Sequence, residues 1–374
     1  MDILQAKQIV IEAGKRLVET GLIARTWGNV SCRLNDREFV ITPSGRSYES
    51  LTPEEIVTVK IDDLSYEGEI KPSSEKGVHA AAYRLRPEVN FVIHTHQVNA
   101  SIVSVLDQDM PVDSAMHASL LGSKVPLAAY GLPGTKKLKL GVTAAIEQNP
   151  GSKAVIMAHH GAVCMGADSN EAFFVAQTLE DACRVFILKK HNSVKTIKKP
   201  ICYSSVRSGE TLLLSGDDGT EFETPMSKEL DRRDFSTAAM HRDIYLARPE
   251  LNAIVHAATP DILAAQDKCR RKLKPLLDDF AQIAGVSVKK AKKEKAAKAL
   301  KGRSAVFVKG GGVLCCGVDM YDANAIRMVT EKNCQAYLAA CSFGVTNYIN
   351  GLESLLMRFV YVKKYSKQKD QKDQ

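Results

Sequence analysis

Residues 78–96 read VHAAAYRLRPEVNFVIHTH, and a close variant of this stretch occurs again later in the chain. Residues 240–258, MHRDIYLARPELNAIVHAA, align with it without a gap and share His, Tyr, Arg, Pro, Glu, Asn and His at matching positions. Downstream, AVIMAHHGAVCMGADSNEA (154–172) aligns in the same way with AVFVKGGGVLCCGVDMYDA (305–323). Two gapless matches in the same order indicate an internal duplication.

The first half alternates helical patterns with short β-rich runs, which predicts a mixed α/β layered domain. The runs are REFVITPSG, EIVTVKIDD, NFVIHTH, KVPLAAY and KAVIMAHHG, and a long amphipathic segment follows at 170–190. A polar, lysine-rich stretch at about 191–205 then predicts a linker. We therefore expect a first domain at 1–195, a second copy at 206–360 and a polar C-terminal tail at 361–374.

The composition is that of a soluble globular protein. The chain has 374 residues, of which 45% are hydrophobic and 25% charged. No run reaches the roughly 18 apolar residues that a membrane helix needs. The first 21 residues form an amphipathic helical pattern interrupted by charges, unlike a signal peptide. We expect a cytoplasmic protein with no membrane partner.

The net charge of +8 is concentrated in two local runs. KKHNSVKTIKKP (189–200) has the composition of a linker, and VKKAKKEKAAKALKGR (288–303) is typical of a solvated helix face followed by a Gly turn. Neither run interleaves aromatic residues with its lysines, and no nucleic-acid motif accompanies them. The sequence therefore predicts no nucleic-acid partner, whereas a smaller anion fits a basic surface.

Two histidines end an apolar run in NFVIHTH. On a strand, His94 and His96 point to the same face, so their imidazoles converge where the strand leaves the core. This is the geometry of a pair of metal ligands, although two structural histidines at a strand end produce the same pattern.

The second copy lacks a specific set of side chains. Ala258 stands in place of His96, Gly311 in place of His160, and Thr237 in place of Glu75. Only His94 keeps a counterpart, His256. Three imidazoles and a carboxylate are the groups that zinc catalysis uses, so the joint loss of two of these imidazoles and the carboxylate favours a metal site in the first half.

With these motifs, residues 1–195 resemble the class II aldolase/adducin family. The resemblance implies a layered α/β/α domain, here duplicated in tandem, with one Zn²⁺ per chain in the N-terminal domain. It places the metal ligands on His94, His96 and His160, whereas His159 is expected to be structural. Glu75, in KPSSEKGVH, takes the position of the proton-transfer base and of a metal contact when substrate is absent.

The resemblance also implies a phosphate-binding pocket. TWGNVS, TPSG and PSSE supply the matching positions: Gly28, Asn29, Ser44, Gly45, Ser73 and Ser74. Small residues let backbone N–H groups approach a phosphate, and hydroxyl groups and a helix N-terminus add hydrogen bonds. Taken singly, each fragment indicates an ordinary turn or helix cap, and only the three together in family order favour a phosphorylated substrate.

The implied activity is reversible aldol cleavage of a ketose 1-phosphate to dihydroxyacetone phosphate and an aldehyde. The type member of the family carries an acid tyrosine where MPVDSAMHASLLG has Ala115, and His117 lies nearby. Epimerase, decarboxylase or dehydratase chemistry on a sugar phosphate therefore stays open, as does a non-catalytic, adducin-like scaffold.

The resemblance further implies a homo-oligomer. Family enzymes form four-fold rings with sites near subunit boundaries. A tandem chain could close a pseudo-tetrameric ring as a dimer, or form a larger assembly.

Overall fold

The computed structural model describes residues 2–23, 27–191, 199–233 and 235–369, with side chains to residue 363. Thr26 of the predicted phosphate motif, most of the predicted linker (192–198) and the end of the predicted tail (370–374) lie outside the described residues. The chain divides into two compact units, Met1–His191 and Asn192–Gln374.

The first unit contains nine strands and six α-helices among its described residues. The strands are β1 Asn29–Arg33, β2 Glu38–Ile41, β3 Val57–Lys60, β4 Phe91–Thr95, β5 Met110–Pro111, β6 Lys124–Val125, β7 Leu127–Ala128, β8 Ala154–Met157 and β9 Ala162–Gly166. The helices are α1 Ile3–Glu19, α2 Lys76–Leu85, α3 Val98–Val103, α4 Ala115–Leu121, α5 Lys136–Gln148 and α6 Ser169–Leu188.

Seven of these strands form one sheet in the order β3-β2-β1-β4-β9-β8-β7, antiparallel except for the β7–β8 pair. Helices α2 and α5 pack together on one face and share an apolar core with the sheet. Helices α1, α3 and α6 lie on the other side, where α6 packs on β4 and β9. The predicted layered α/β/α architecture is confirmed.

The central strand β4 explains where the two histidines point. All five of its residues are buried, as expected for a strand covered on both faces. Val92 contributes to the core beneath α2 and α5. His94, two residues further on, faces the same side and so points toward the start of α2.

The second unit repeats this architecture. Its strands are β10 Tyr203–Ser208, β11 Thr211–Gly216, β12 Glu221–Pro225, β13 Ala253–Ala257, β14 Lys272–Leu273, β15 Val288–Ala291, β16 Ala305–Val308 and β17 Gly312–Gly317. Its helices are α7 Ser236–Ala247, α8 Pro260–Lys268, α9 Asp278–Ile283, α10 Ala296–Ala299, α11 Met320–Phe343 and α12 Gly351–Lys369. The sheet order, β12-β11-β10-β13-β17-β16-β15-β14, matches the first sheet strand for strand and adds β14 at the edge.

The structure corrects the prediction made for the basic run and shows which elements lie at two predicted domain boundaries. The basic run at 288–303 is not one helix face: it begins as strand β15 and ends in the short helix α10. Strand β15 forms because Val288 and Ala291 are buried and the strand pairs in parallel with β16.

At the predicted domain boundaries, strand β10 begins at Tyr203, and α12 runs across the boundary predicted at residue 360. No helix in the described ranges is long and apolar enough to span a membrane.

Candidate metal centre

Three histidines converge at the end of the central strand of the first unit. His94 lies on β4, His96 follows the strand, and His160 lies in the turn between β8 and β9. The Nε2 atom of His94 is 2.9 Å from that of His96 and 3.1 Å from that of His160. In the part of the chain that the structure describes, this is the one His, Cys, Asp or Glu group arranged to hold a metal ion.

The hydrogen bonding of His94 determines which nitrogen is available as a ligand. Its Nδ1 lies 3.0 Å from the carbonyl oxygen of Ala162, an acceptor, so Nδ1 carries the proton. Burial holds the pKa of His94 well below its usual range, so the imidazole is neutral at neutral pH. Its Nε2 therefore presents a lone pair to the other two nitrogens, and such an arrangement is repulsive unless a cation lies between them.

Glu75 completes the cluster from the N-cap position of α2. Its carboxylate oxygens lie 3.2 Å from Nε2 of His94 and 3.2 Å from Nε2 of His160. Burial by itself would raise the pKa of Glu75, but electrostatic interaction with His94 and His160 outweighs it and holds the pKa well below the usual value. The carboxylate therefore meets three imidazole nitrogens at one buried point, which is a set of donors that a divalent cation can use. The donor set therefore fits a divalent metal.

The turn between β8 and β9 selects His160, rather than its neighbour, for the cluster. His159 has a φ of 61°, an unusual backbone conformation for a residue other than glycine. Its ring lies edge-on to that of Tyr130, with 5.3 Å between centroids. A Cβ atom on Gly161 would collide with the carbonyl oxygen of Thr95, so the turn packs against the end of β4. This contact holds His160 close to His94.

A chain of buried hydrogen bonds leads from Glu75 into the core. The Asn29 amide donates to Glu75 at 3.1 Å, so its carbonyl oxygen is free to accept from Nε2 of His79. His79 then accepts at Nδ1 from the Ser31 hydroxyl, 2.6 Å away, and Ser31 accepts in turn from Tyr83. Burial lowers the pKa of His79 to about 4, so it stays neutral and keeps this tautomer.

This connection was not found by the sequence analysis, although the duplication contained a signal for it. Ser205, His241 and Tyr245 form the same hydrogen-bonded triad in the second unit. There Tyr203 stands in place of Asn29, and among the described residues nothing bonds to Nε2 of His241. The inner triad therefore belongs to the fold, and the link through Asn29 to a carboxylate belongs to the first unit alone.

In the second unit, the histidine that corresponds to His94 is hydrogen-bonded to the backbone. His256 accepts at Nδ1 from the amide of Tyr203, 3.1 Å away, and donates from Nε2 to the carbonyl of Gly311. Gly311 is the counterpart of His160. Both ring nitrogens of His256 are therefore satisfied without a metal.

Two of the three predicted phosphate-binding segments, TPSG and PSSE, lie side by side. The Ser44 amide donates to the carbonyl of Lys71 at 2.9 Å, and the Ser73 amide donates to that of Thr42 at 3.0 Å. The Ser73 hydroxyl accepts from the amide of Glu75 at 3.2 Å, which places Ser73 and Ser74 at the start of α2. The TPSG and PSSE loops thus meet next to the carboxylate.

The two predicted glycines of the phosphate pocket have backbone conformations that favour glycine. Gly28 has a φ of 148°, and a Cβ atom there would lie 2.7 Å from the carbonyl oxygen of His94. Gly45 has a φ of 75°.

At the position where the family's type member has a tyrosine, Ala115 is exposed. His117, on the same helix, is buried, and its Nε2 lies 2.9 Å from Asp181 on α6.

Comparison with known proteins places both units in one family. A model of the Class II Aldolase and Adducin N-terminal domain matches residues 8–187 and again residues 198–338. An L-fuculose phosphate aldolase of Escherichia coli O6:H1 is 35% identical over 182 residues, covering 49% of this chain and 82% of the relative. A 5-deoxy-D-ribulose 1-phosphate aldolase of Bacillus thuringiensis serovar kurstaki is 33% identical over 185 residues, covering 49% and 85%.

Among solved structures, an L-fuculose 1-phosphate aldolase is 33% identical and covers 50% of this chain and 86% of its own, with a TM-score of 0.47. The family match extends over most of the chain in two successive copies. The chain therefore belongs to the class II aldolase and adducin family.

Proposed function

We propose that the first unit is a zinc-dependent lyase that reversibly cleaves a ketose 1-phosphate to dihydroxyacetone phosphate and an aldehyde. The observation that carries the proposal is the convergence of three Nε2 atoms with the carboxylate of Glu75 3.2 Å from two of them. Two relatives whose names describe them as aldolases of sugar phosphates support the substrate class.

His94, His96 and His160 would hold the metal. Three neutral imidazoles leave the ion its full charge and one open coordination position, which is the donor set of catalytic zinc sites. Bound there, zinc would supply a Lewis acid for the carbonyl oxygen of the substrate.

Glu75 is the proposed base. In the direction of synthesis, it accepts a proton from the carbon next to the substrate carbonyl, and in cleavage it returns that proton. Asn29 fixes the carboxylate by donating to one of its oxygens, and His79 fixes Asn29. The carboxylate is therefore held in one orientation before substrate arrives, which is how a positioned base gains efficiency.

The substrate phosphate is proposed to bind between the two loops beside Glu75. Gly28, Asn29, Ser44, Gly45, Ser73 and Ser74 are the proposed contacts. The N-terminal end of α2 attracts an anion and the serine hydroxyls can donate to it, whereas the backbone N–H groups of Ser44 and Ser73 are already bonded to carbonyl oxygens.

The residue at position 115 leaves reactions other than aldol cleavage open. Ala115 offers no acid, and His117 on the same helix is buried and hydrogen-bonded to Asp181. A site that can remove a proton next to a carbonyl but lacks this acid is also compatible with epimerisation, decarboxylation or dehydration of a sugar phosphate.

The test begins with the metal content of the full-length chain after zinc reconstitution. We expect about one zinc ion per chain, because only the first unit has the donor set. His94→Ala should lose the metal, while His256→Ala, at the equivalent position of the second unit, should keep it. A chain without bound metal, or equal retention by both variants, would exclude the metal site and favour a scaffold.

Activity is then measured on a panel of ketose 1-phosphates and the corresponding unphosphorylated ketoses. We expect dihydroxyacetone phosphate to form in step with the aldehyde. Equal efficiency with phosphorylated and unphosphorylated sugars would contradict the phosphate pocket. Formation of an epimer, carbon dioxide or a dehydrated product instead of the aldehyde would show that the reaction is epimerisation, decarboxylation or dehydration and not aldol cleavage.

A further inference from the structure

The basic run of the second unit folds around one open groove. Strand β15 contributes Lys289 and Lys290, the following turn contributes Lys292 and Lys295, and α10 contributes Lys298. Three more cations complete the lining: Lys301, Arg303 and Lys309. The groove has a volume of about 600 Å³, and its other two lining residues are alanines.

These cations are not neutralised within the described residues. No ion pair joins any of the eight to a carboxylate, and the single acid of the run, Glu294, does not line the groove. Lys289 on β15 also lies directly opposite Lys272 on β14. Like charges in opposed register destabilise a sheet, so this arrangement carries a repulsion that a bound anion would relieve.

Among the cations that line the groove, Arg303 is held in place by hydrogen bonds. Arg303 is half-buried, donating from Nε to the Ser287 hydroxyl at 3.2 Å and from Nη1 to the carbonyl of Lys301 at 2.7 Å. Burial lowers the pKa of Arg303, which reflects a cation that has lost water without gaining an anionic partner. A guanidinium fixed in this way loses less side-chain entropy when it binds a phosphate than a free lysine does.

The fold, rather than the composition, gathers these charges. In the first unit the connection between β7 and β8 includes the 13-residue helix α5, which packs on α2. In the second unit the equivalent connection has only the four-residue helix α10. The shorter connection turns sharply after β15 and brings Lys289 together with lysines of the turn and of the helix, whereas the Lys290 ammonium group donates to the carbonyl oxygen of Asp267.

We propose that this groove binds a compact small molecule bearing several phosphate groups. A volume of about 600 Å³ is that of a small-molecule pocket. The groove has no aromatic side chain on which a nucleic-acid base could stack, unlike grooves that bind single strands. Seven cations besides Lys290, none of them in an ion pair among the described residues, match a ligand of high charge density.

The experiment uses the full-length chain and sodium tripolyphosphate as the probe, by titration calorimetry at about 0.15 M salt, where weak long-range attraction is screened. We expect one saturable binding event per chain. The variant Lys292→Gln, Lys295→Gln, Lys298→Gln should bind about tenfold more weakly or worse, since it loses three charge-assisted contacts.

The matched control is Lys15→Gln, Lys228→Gln, Lys268→Gln, which removes the same charge from exposed positions outside the groove. It should bind within about twofold of the unmodified chain. Circular dichroism checks that both variants are folded. Absence of saturable binding, or an equal loss in both variants, would overturn the proposal.

The same titration is repeated with a 20-nucleotide RNA and with vesicles containing phosphatidylserine. Tripolyphosphate is expected to bind more tightly, per chain, than either. If RNA or vesicles bind more tightly and lose that binding in the groove variant alone, the groove is a macromolecular surface and the small-molecule proposal is wrong.

Discussion

At the scale of single residues, Glu75 is the side chain whose surroundings say most about chemistry. It is buried, it lies against two imidazoles, and its orientation depends on one amide, that of Asn29. Its pKa is held well below the usual value, so the carboxylate is ionised, and it lies close enough to the proposed metal position to act on the same substrate.

Glu75→Gln tests the proposed base, because an amide of nearly the same shape cannot accept the proton. Turnover should fall by about 10²- to 10⁴-fold, the usual contribution of a positioned acid or base. Product formation is measured alongside metal content, which should stay near that of the unmodified chain. Glu69→Gln, at an exposed position, is the control, and a Glu75→Gln enzyme retaining more than about a tenth of the activity would assign the base elsewhere.

Ser31 and Ser205 offer a matched pair of residues with the same local contacts. Each bonds to a buried histidine and a buried tyrosine, so replacement by alanine leaves buried polar groups unpaired and should cost about 1–3 kcal/mol of unfolding free energy. Only Ser31 connects through His79 and Asn29 to Glu75. Ser31→Ala should therefore also lower turnover, whereas Ser205→Ala should not.

Denaturant unfolding gives the stability of both serine variants, and kcat is measured well below the unfolding transition. Equal turnover in the two variants would show that the hydrogen-bond chain supports the fold without orienting the carboxylate.

At the scale of elements, the β8–β9 turn and the end of β4 form the candidate metal centre together. The Met157 amide donates to the carbonyl of Gly161 at 2.8 Å and closes the turn, and Gly161 packs on Thr95. The spacing of His160 from His94 is thus set by backbone contact, and a larger residue at the contact must separate the two strands.

Gly161→Ala should destabilise the protein by at least about 2 kcal/mol, the range expected for overpacking, and should weaken metal binding. Gly151→Ala is the control, since a Cβ atom there meets nothing within 4 Å and should change stability by less than about 0.5 kcal/mol. Unfolding midpoints and zinc titration measure the two effects. Unchanged metal affinity in Gly161→Ala would mean that the turn does not position His160.

At the scale of the whole molecule, the second unit keeps the sheet order and the buried triad but lacks two of the three proposed metal-binding histidines and the carboxylate. Its last helix, α12, exposes large apolar side chains: Leu352 at 76%, Leu355 at 57% and Phe359 at 61%. A protein surface of this kind is typical of an interface with another chain. We expect the full-length chain to associate, in keeping with a ring closed by two tandem chains.

Light scattering of the purified protein measures this association. A dimer would have about twice the chain mass of 40.9 kDa, with two metal sites per particle. Residues 1–195 expressed alone should then lose activity because the neighbouring domain is missing. A monomeric full-length enzyme, or a fully active isolated half, would contradict the composite ring.

Much of the site could be predicted from sequence because its signals are local or repeated. The period of two along β4 places His94 and His96 on one face, and the structure confirms that they converge. The duplication identified His160 and Glu75 by their joint absence from the second copy, and the structure brings both to the same cluster. These inferences needed no knowledge of packing.

Other features were decided only by the tertiary structure, because they depend on contacts between segments distant in sequence. Asn29 reaches Glu75 and His79 only because β1 pairs with β4 beneath the start of α2. The basic run has the composition of a helix, but pairing with β16 makes its first residues a strand. The sequence by itself determined the repeat, the alternation of helices and strands, and the histidines and carboxylate of the proposed metal site. The packing of strands and helices decided which side chain orients that carboxylate and where the lysines converge.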